Sequence, residues 1–121
     1  MKFENIGIEN KTAPLVRLDE MTKQIGFVRA GQWDYERVTY DYKFENKGEI
    51  FYLRVQGYAV EGDIGSRRGV IKLLTPLLGK HYYPHGVEYG EDEDFPNNIV
   101  EQSKKLLSQL SEALKKINAE A

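Results

Sequence analysis

Apolar and polar residues alternate most strictly between Tyr35 and Glu45. Val38, Tyr40, Tyr42 and Phe44 fall on one side, and Arg37, Thr39, Asp41 and Lys43 on the other. A period of two predicts a strand with one buried face. Asn46-Lys47-Gly48 follows as a turn, with glycine where a positive φ is needed. A second strand is predicted over Glu49 to Glu61, with Phe51, Leu53, Val55 and Ala59 on one side. Together they make a hairpin.

The pattern changes toward both ends. Phe3, Ile6 and Ile8 suit an edge strand or an ordered arm. Pro14 fits the first turn of a helix, Leu15, Leu18, Met21 or Thr22, and Ile25 recur at helical spacing, and Gly26 is a natural stop. Phe27-Val28-Arg29-Ala30 reads as a short strand. The glycine-rich segment Gly62 to Gly69 reads as a loop. Val70–Thr75 and Lys80–Tyr89 read as two more strands, with Pro76 and Pro84 at ends, edges or bulges. From about Pro96 or Asn97 the spacing becomes helical to the C-terminus. Val100, Ser103, Leu107, Leu110, Leu114 and Ile117 form an apolar stripe flanked by Ile99, Leu106 and Ala113. Asn98 with Glu101 resembles a capping box, and Glu101–Lys105 and Glu112–Lys116 are (i, i+4) pairs in the favourable order.

This order predicts an α+β fold: an antiparallel sheet of about four to five strands flanked by an N-terminal and a long C-terminal helix. The 121 residues make one domain, 1–121. Composition narrows the function classes. With no cysteine, disulfides, thiolate metal sites and thiol catalysis are excluded, and a reducing cytoplasmic compartment is expected. Met1 to Asn5 lacks the apolar core of a signal peptide, and no apolar run is long enough to span a bilayer, so no membrane partner is expected. Seventeen basic and nineteen acidic residues leave a net charge of −2, which argues against nucleic acid as a partner.

Four segments carry a family likeness: Gly31-Gln32-Trp33-Asp34-Tyr35-Glu36-Arg37, Tyr52-Leu53-Arg54-Val55, Gly57-Tyr58-Ala59-Val60-Glu61-Gly62-Asp63, and Leu78-Gly79-Lys80-His81-Tyr82-Tyr83-Pro84-His85-Gly86-Val87-Glu88-Tyr89. The chain resembles the YugN-like family along nearly its whole length. The resemblance implies a small bacterial, cytoplasmic protein of this fold and supplies no catalytic residue, cofactor or substrate.

Three constellations could carry chemistry. Trp33, Tyr52, Arg54, Gln56 and Tyr58, with Arg37 and Asp41, occupy or adjoin the polar side of the hairpin, and rings mixed with Arg and amides are enriched in pockets and interfaces. The competing reading is a second core layer beneath a helix, each Tyr hydroxyl finding a partner. Ser66, Arg67 and Arg68 lie in the glycine loop and suit an anion, although the loop lacks the ending of a P-loop. His81 and His85, the only histidines, could hold a metal with Glu88, Glu91 or Asp94, but four extended residues span roughly 13 Å, so the strand would have to bend at Pro84 to Gly86. The competing reading there is a histidine pair hydrogen-bonded beside tyrosines. The acid-rich stretch Glu88 to Asp94 fails the calcium-loop template. Ser66, Ser103, Ser108 and Ser111 show no nucleophile motif. No cofactor is indicated.

The sequence therefore favours a non-enzymatic binding or interaction domain that uses the aromatic and polar sheet face, with a small molecule, a protein or a second copy in a homodimer as partner. A metal-binding protein or metal-dependent enzyme centred on His81 and His85 is the alternative.

Overall fold

A tight reversal at Lys47-Gly48 sets the register of the sheet. In the computed structural model, which describes residues 1–30, 34–64, 68–82, 86–90 and 94–119, Lys47 and Gly48 have φ of 52° and 81°. Two successive positive values define the primed two-residue loop that matches strand twist. Asn46 faces Glu49, and β3 (Arg37–Asn46) then pairs with β4 (Glu49–Glu61) out to Arg37 opposite Tyr58. Alternation places Val38, Tyr40 and Phe44 with Phe51, Leu53 and Val55 in the core, as the sequence pattern predicts.

The antiparallel sheet has seven strands among the described residues, more than the four to five expected. Two features account for the difference. The three residues of β1 (Thr12–Pro14) are too few to leave a period in the sequence. The segment Lys80–Tyr89, expected as one strand, instead turns back on itself as β6 (Leu77–Tyr82) and β7 (Gly86–Glu88). The order is β1, β5 (Val70–Leu73), β4, β3, β2 (Val28–Arg29). β6 joins the same side of β4 as β5, opposite Phe51 to Arg54, while β5 lies opposite Gly57 to Glu61. Pro76 stands in the gap between β5 and β6, where its missing N–H costs no ladder bond. The N-terminal arm extends this edge. Lys2 bridges Leu77, and the terminal ammonium donates to the Leu78 carbonyl at 2.9 Å.

Two helices cover the apolar face. α1 (Leu15–Ile25) follows Pro14 and stops at Gly26, whose φ of 119° only glycine adopts without strain. It buries Leu15, Leu18, Met21 and Thr22. Asp19 of α1 accepts a 2.5 Å hydrogen bond from the Tyr40 hydroxyl and pairs with Arg29 at 3.1 Å. That bond and the apolar setting push the Tyr40 phenol far above its ordinary value, burial contributing most. α2 (Asn97–Ala119) buries Ile99, Ser103, Leu107, Leu110, Ser111, Leu114 and Ile117. Val100, expected in the stripe, is only half-buried, and Ile99 takes its place. The Pro96 carbonyl accepts the amides of Ile99 and Val100, and the ion pairs run (i, i+3), Glu101 with Lys104 and Glu112 with Lys115. No described helix is long and apolar enough to cross a membrane.

Candidate functional site

The same alternation that fills the core aligns a second set of side chains on the outward face. Read across the strands, its rows are Lys43–Tyr52–Gly79, Asp41–Arg54–Leu77, Thr39–Gln56 and Arg37–Tyr58–Lys72. Tyr52, Arg54 and Gln56 are half-buried and Tyr58 is exposed, whereas every core partner on β4 from Phe51 to Gly57 is buried. The helices bury their apolar stripes on the other side. A second core layer would have sealed these rings, and it does not form.

At one end the face neutralises itself. Arg54 donates from Nε to Asp41 Oδ1 at 2.8 Å and from Nη2 to Oδ2 at 3.0 Å, a bidentate cross-strand pair. The hydrogen bond to Asp41 raises the Arg54 pKa further above its already high value. The guanidinium also lies 5.1 Å from the centre of the Tyr89 ring. Tyr89 follows β7 and covers Gly79, where an added Cβ would come within 2.6 Å of the ring and 2.8 Å of the Glu88 carbonyl. Glycine is what lets the ring come this close to the sheet. The Tyr89 hydroxyl is buried with no hydrogen-bond partner. Burial pushes its phenol up to about 12, with Arg54 pulling the other way.

The other end is open. Tyr58 stands between Arg37 and Lys72 in one row. Arg37 lines two clefts. One, of about 340 Å³, includes Thr39, Gln56, Asp34 and Ile64. The other, of about 530 Å³, includes Tyr35, Glu36, Tyr58 and Asp63. Gln56 donates to Thr39 Oγ1 at 3.3 Å. The sequence pattern singled out Arg37, Tyr52, Arg54, Gln56 and Tyr58 correctly as residues of one face. It missed Lys72 and Tyr89, whose places depend on which strands flank β4. Trp33 lies outside the described residues.

Among the described residues, the remaining candidates are not gathered into a site. Ser66 and Arg67 lie outside the described residues, so of that trio only Arg68 is described. His85 and Glu91 are likewise outside them. His81 faces Val87 and Glu88 faces Lys80 in the β6–β7 ladder, so His81 and Glu88 project from opposite faces. Among the described residues no group of three His, Cys, Asp or Glu could hold a metal ion. Ser103 is fully buried and Ser111 donates to the Gly7 carbonyl at 3.4 Å.

Comparison with known proteins adds relatives to this geometry. Residues 5–117 match the model of the YugN-like family. The chain is 56% identical over 117 residues to the uncharacterized protein YlbA of Bacillus subtilis (strain 168), covering 97% of this chain and 98% of that protein. It is 26% identical over 81 residues to the uncharacterized protein YugN of the same organism, covering 67% and 60%. The crystal structure of the uncharacterized conserved protein YugN from Geobacillus kaustophilus HTA426 superposes with a TM-score of 0.86 at 56% identity, covering 98% of both chains.

Proposed function

The chain belongs to the YugN-like family, and we propose that it is a non-enzymatic binding domain whose contact surface is the outward face of β3, β4 and β5. The observation that carries this reading is the asymmetry of the sheet: one face lies under two helices, while the other presents Tyr52, Arg54, Gln56, Tyr58 and Arg37 half-buried or exposed. Tyrosine offers a large amphipathic contact area at low cost in side-chain entropy. Tyr and Arg are the residues that anchor such contacts. The cysteine-free composition supports the cytoplasm as the compartment.

The partner is a small ring-bearing molecule, a protein or a second copy of this chain. A library of ring-bearing fragments, followed by amide chemical shifts, tests the surface. Perturbations gathering on Arg37 to Lys43 and Tyr52 to Tyr58 support it. Perturbations gathering instead in the groove between α1 and α2, which Arg17, Met21, Gln109 and Ala113 line, reject it. Sedimentation separates the homodimer: Tyr58→Glu dissociates a dimer formed across this face and leaves one formed through α2 intact.

A further inference from the structure

Resting on that reading, we propose that the Arg37–Tyr58–Lys72 end of the face binds a phosphate monoester carried on a flat ring. Among the described residues, neither Arg37 nor Lys72 has an ion-pair or hydrogen-bond partner, although Arg29, Lys43, Arg54 and Lys80 each have a carboxylate. These are the two unpaired cations of the described strands, and they are not scattered. Register places them on either side of one tyrosine, two strand spacings or roughly 10 Å apart between Cα atoms. Both side chains are long enough to converge above the Tyr58 ring.

The chemistry selects the anion. Two converging cations are matched by a group of nearly two negative charges, which a phosphate monoester carries near neutral pH. A carboxylate would leave one of them unanswered. The Arg fork fits phosphate oxygens, and the Lys ammonium adds a point charge. Glu36 and Asp63 border the 530 Å³ cleft beyond Tyr58 and repel an anion from that side. The 340 Å³ cleft on the other side of Arg37 is lined by Thr39, Gln56 and Ile64, with one acid, Asp34, set against a second arginine, Arg29. A planar ring attached to the phosphate has room there, with an amide to meet its polar edge. Lys72 identifies the row. Without it Arg37 is one exposed arginine among several.

The test is a titration with phenyl phosphate followed by amide shifts, with inorganic phosphate and phenol run beside it. Expected are saturable shifts at Arg37, Tyr58 and Lys72 with phenyl phosphate, weaker ones at the same residues with inorganic phosphate, and none with phenol. Arg37→Gln and Lys72→Gln each weaken binding about tenfold, the effect of one lost charge-assisted contact. Lys43→Gln, on the same face but paired with Glu45, changes it less than about twofold, since an exposed pair contributes little. All three substitutions fall on half-buried or exposed positions, and an unchanged amide spectrum verifies the fold. Shifts that map to Lys115 and Lys116, or an equal loss in Lys43→Gln, overturn the proposal. If fragments gather on the Tyr52 end while phenyl phosphate leaves Arg37 unmoved, this inference fails and the binding face stands. Fragments gathering in the helix groove remove both.

Discussion

Arg54 and Arg37 lie on adjacent strands of one sheet face, four positions apart along the ladder, and the sheet treats them oppositely. Arg54 has a bidentate carboxylate on one side and the Tyr89 ring on the other. Arg37 has an exposed tyrosine beside it, a second cation beyond, and no described carboxylate in pairing distance. One end is finished by intramolecular contacts. The other leaves two cations without an intramolecular partner among the described residues. The lesson is that aromatic and cationic content does not identify a contact surface by itself. What separates structure from function is whether the charges have already been answered.

The strongest way to break this contrast is Asp41→Ala. It leaves the half-buried Arg54 guanidinium, whose side chain is 30% exposed, with no carboxylate. Stranding a hydrogen-bonded charge of this kind costs about 2 kcal/mol, below the figure for a fully buried pair because water still reaches it. Denaturant unfolding reads the loss. A change under about 0.5 kcal/mol, the range of an ordinary surface substitution, would place Arg54 in the same class as Arg37.

The sequence makes the contrast only half visible. Strict alternation in Arg37–Asn46 and the turn at Lys47-Gly48 predict the β3–β4 hairpin, and a hairpin fixes cross-strand neighbours. Asp41 and Arg54 are therefore legible as one face. Lys72 is not, because nothing in Val70–Leu73 says that it pairs with Gly57 to Glu61. Tyr89 is hidden for a related reason. A continuous strand over Lys80–Tyr89 carries the ring away from β4, whereas the observed reversal between Tyr82 and Gly86 returns it over Gly79. Local periodicity encodes what lies within one turn of the chain, and long-range strand order is settled by the packed core. The same limit applies to His81, which only the ladder could separate from Glu88.

Tyr89→Phe sharpens the finished end. The lost hydroxyl is buried and makes no hydrogen bond, so its removal leaves stability unchanged or raises it by up to about 1 kcal/mol. The pH dependence is more specific. The folded phenol titrates at about 12 instead of 10.0, so between those values the unfolded chain gives up a proton that the folded chain keeps. Stability present below pH 10 is therefore lost as pH rises toward 12. The melting temperature of the parent protein falls across this window more steeply than that of Tyr89→Phe. Tyr40, also held protonated by burial, is common to both proteins and drops out of the comparison. Parallel curves would mean that Tyr89 is as wet as any surface tyrosine.

The smallest effect belongs to the open end. Arg37→Gln and Lys72→Gln each change stability by less than about 0.5 kcal/mol, because neither removes an intramolecular bond. Together they relieve a repulsion between two cations whose Cα atoms lie about 10 Å apart, within reach of a Debye length at 0.1 M salt. The double variant is accordingly a few tenths of a kcal/mol more stable than the parent at low ionic strength by the surface-charge scale, and indistinguishable from it in high salt. A residue that the fold needs cannot become slightly dispensable when salt is withdrawn. A loss above about 1 kcal/mol in either single variant, typical of a broken intramolecular hydrogen bond, would show that the fold already uses these charges, and the two ends of the face would no longer differ in kind.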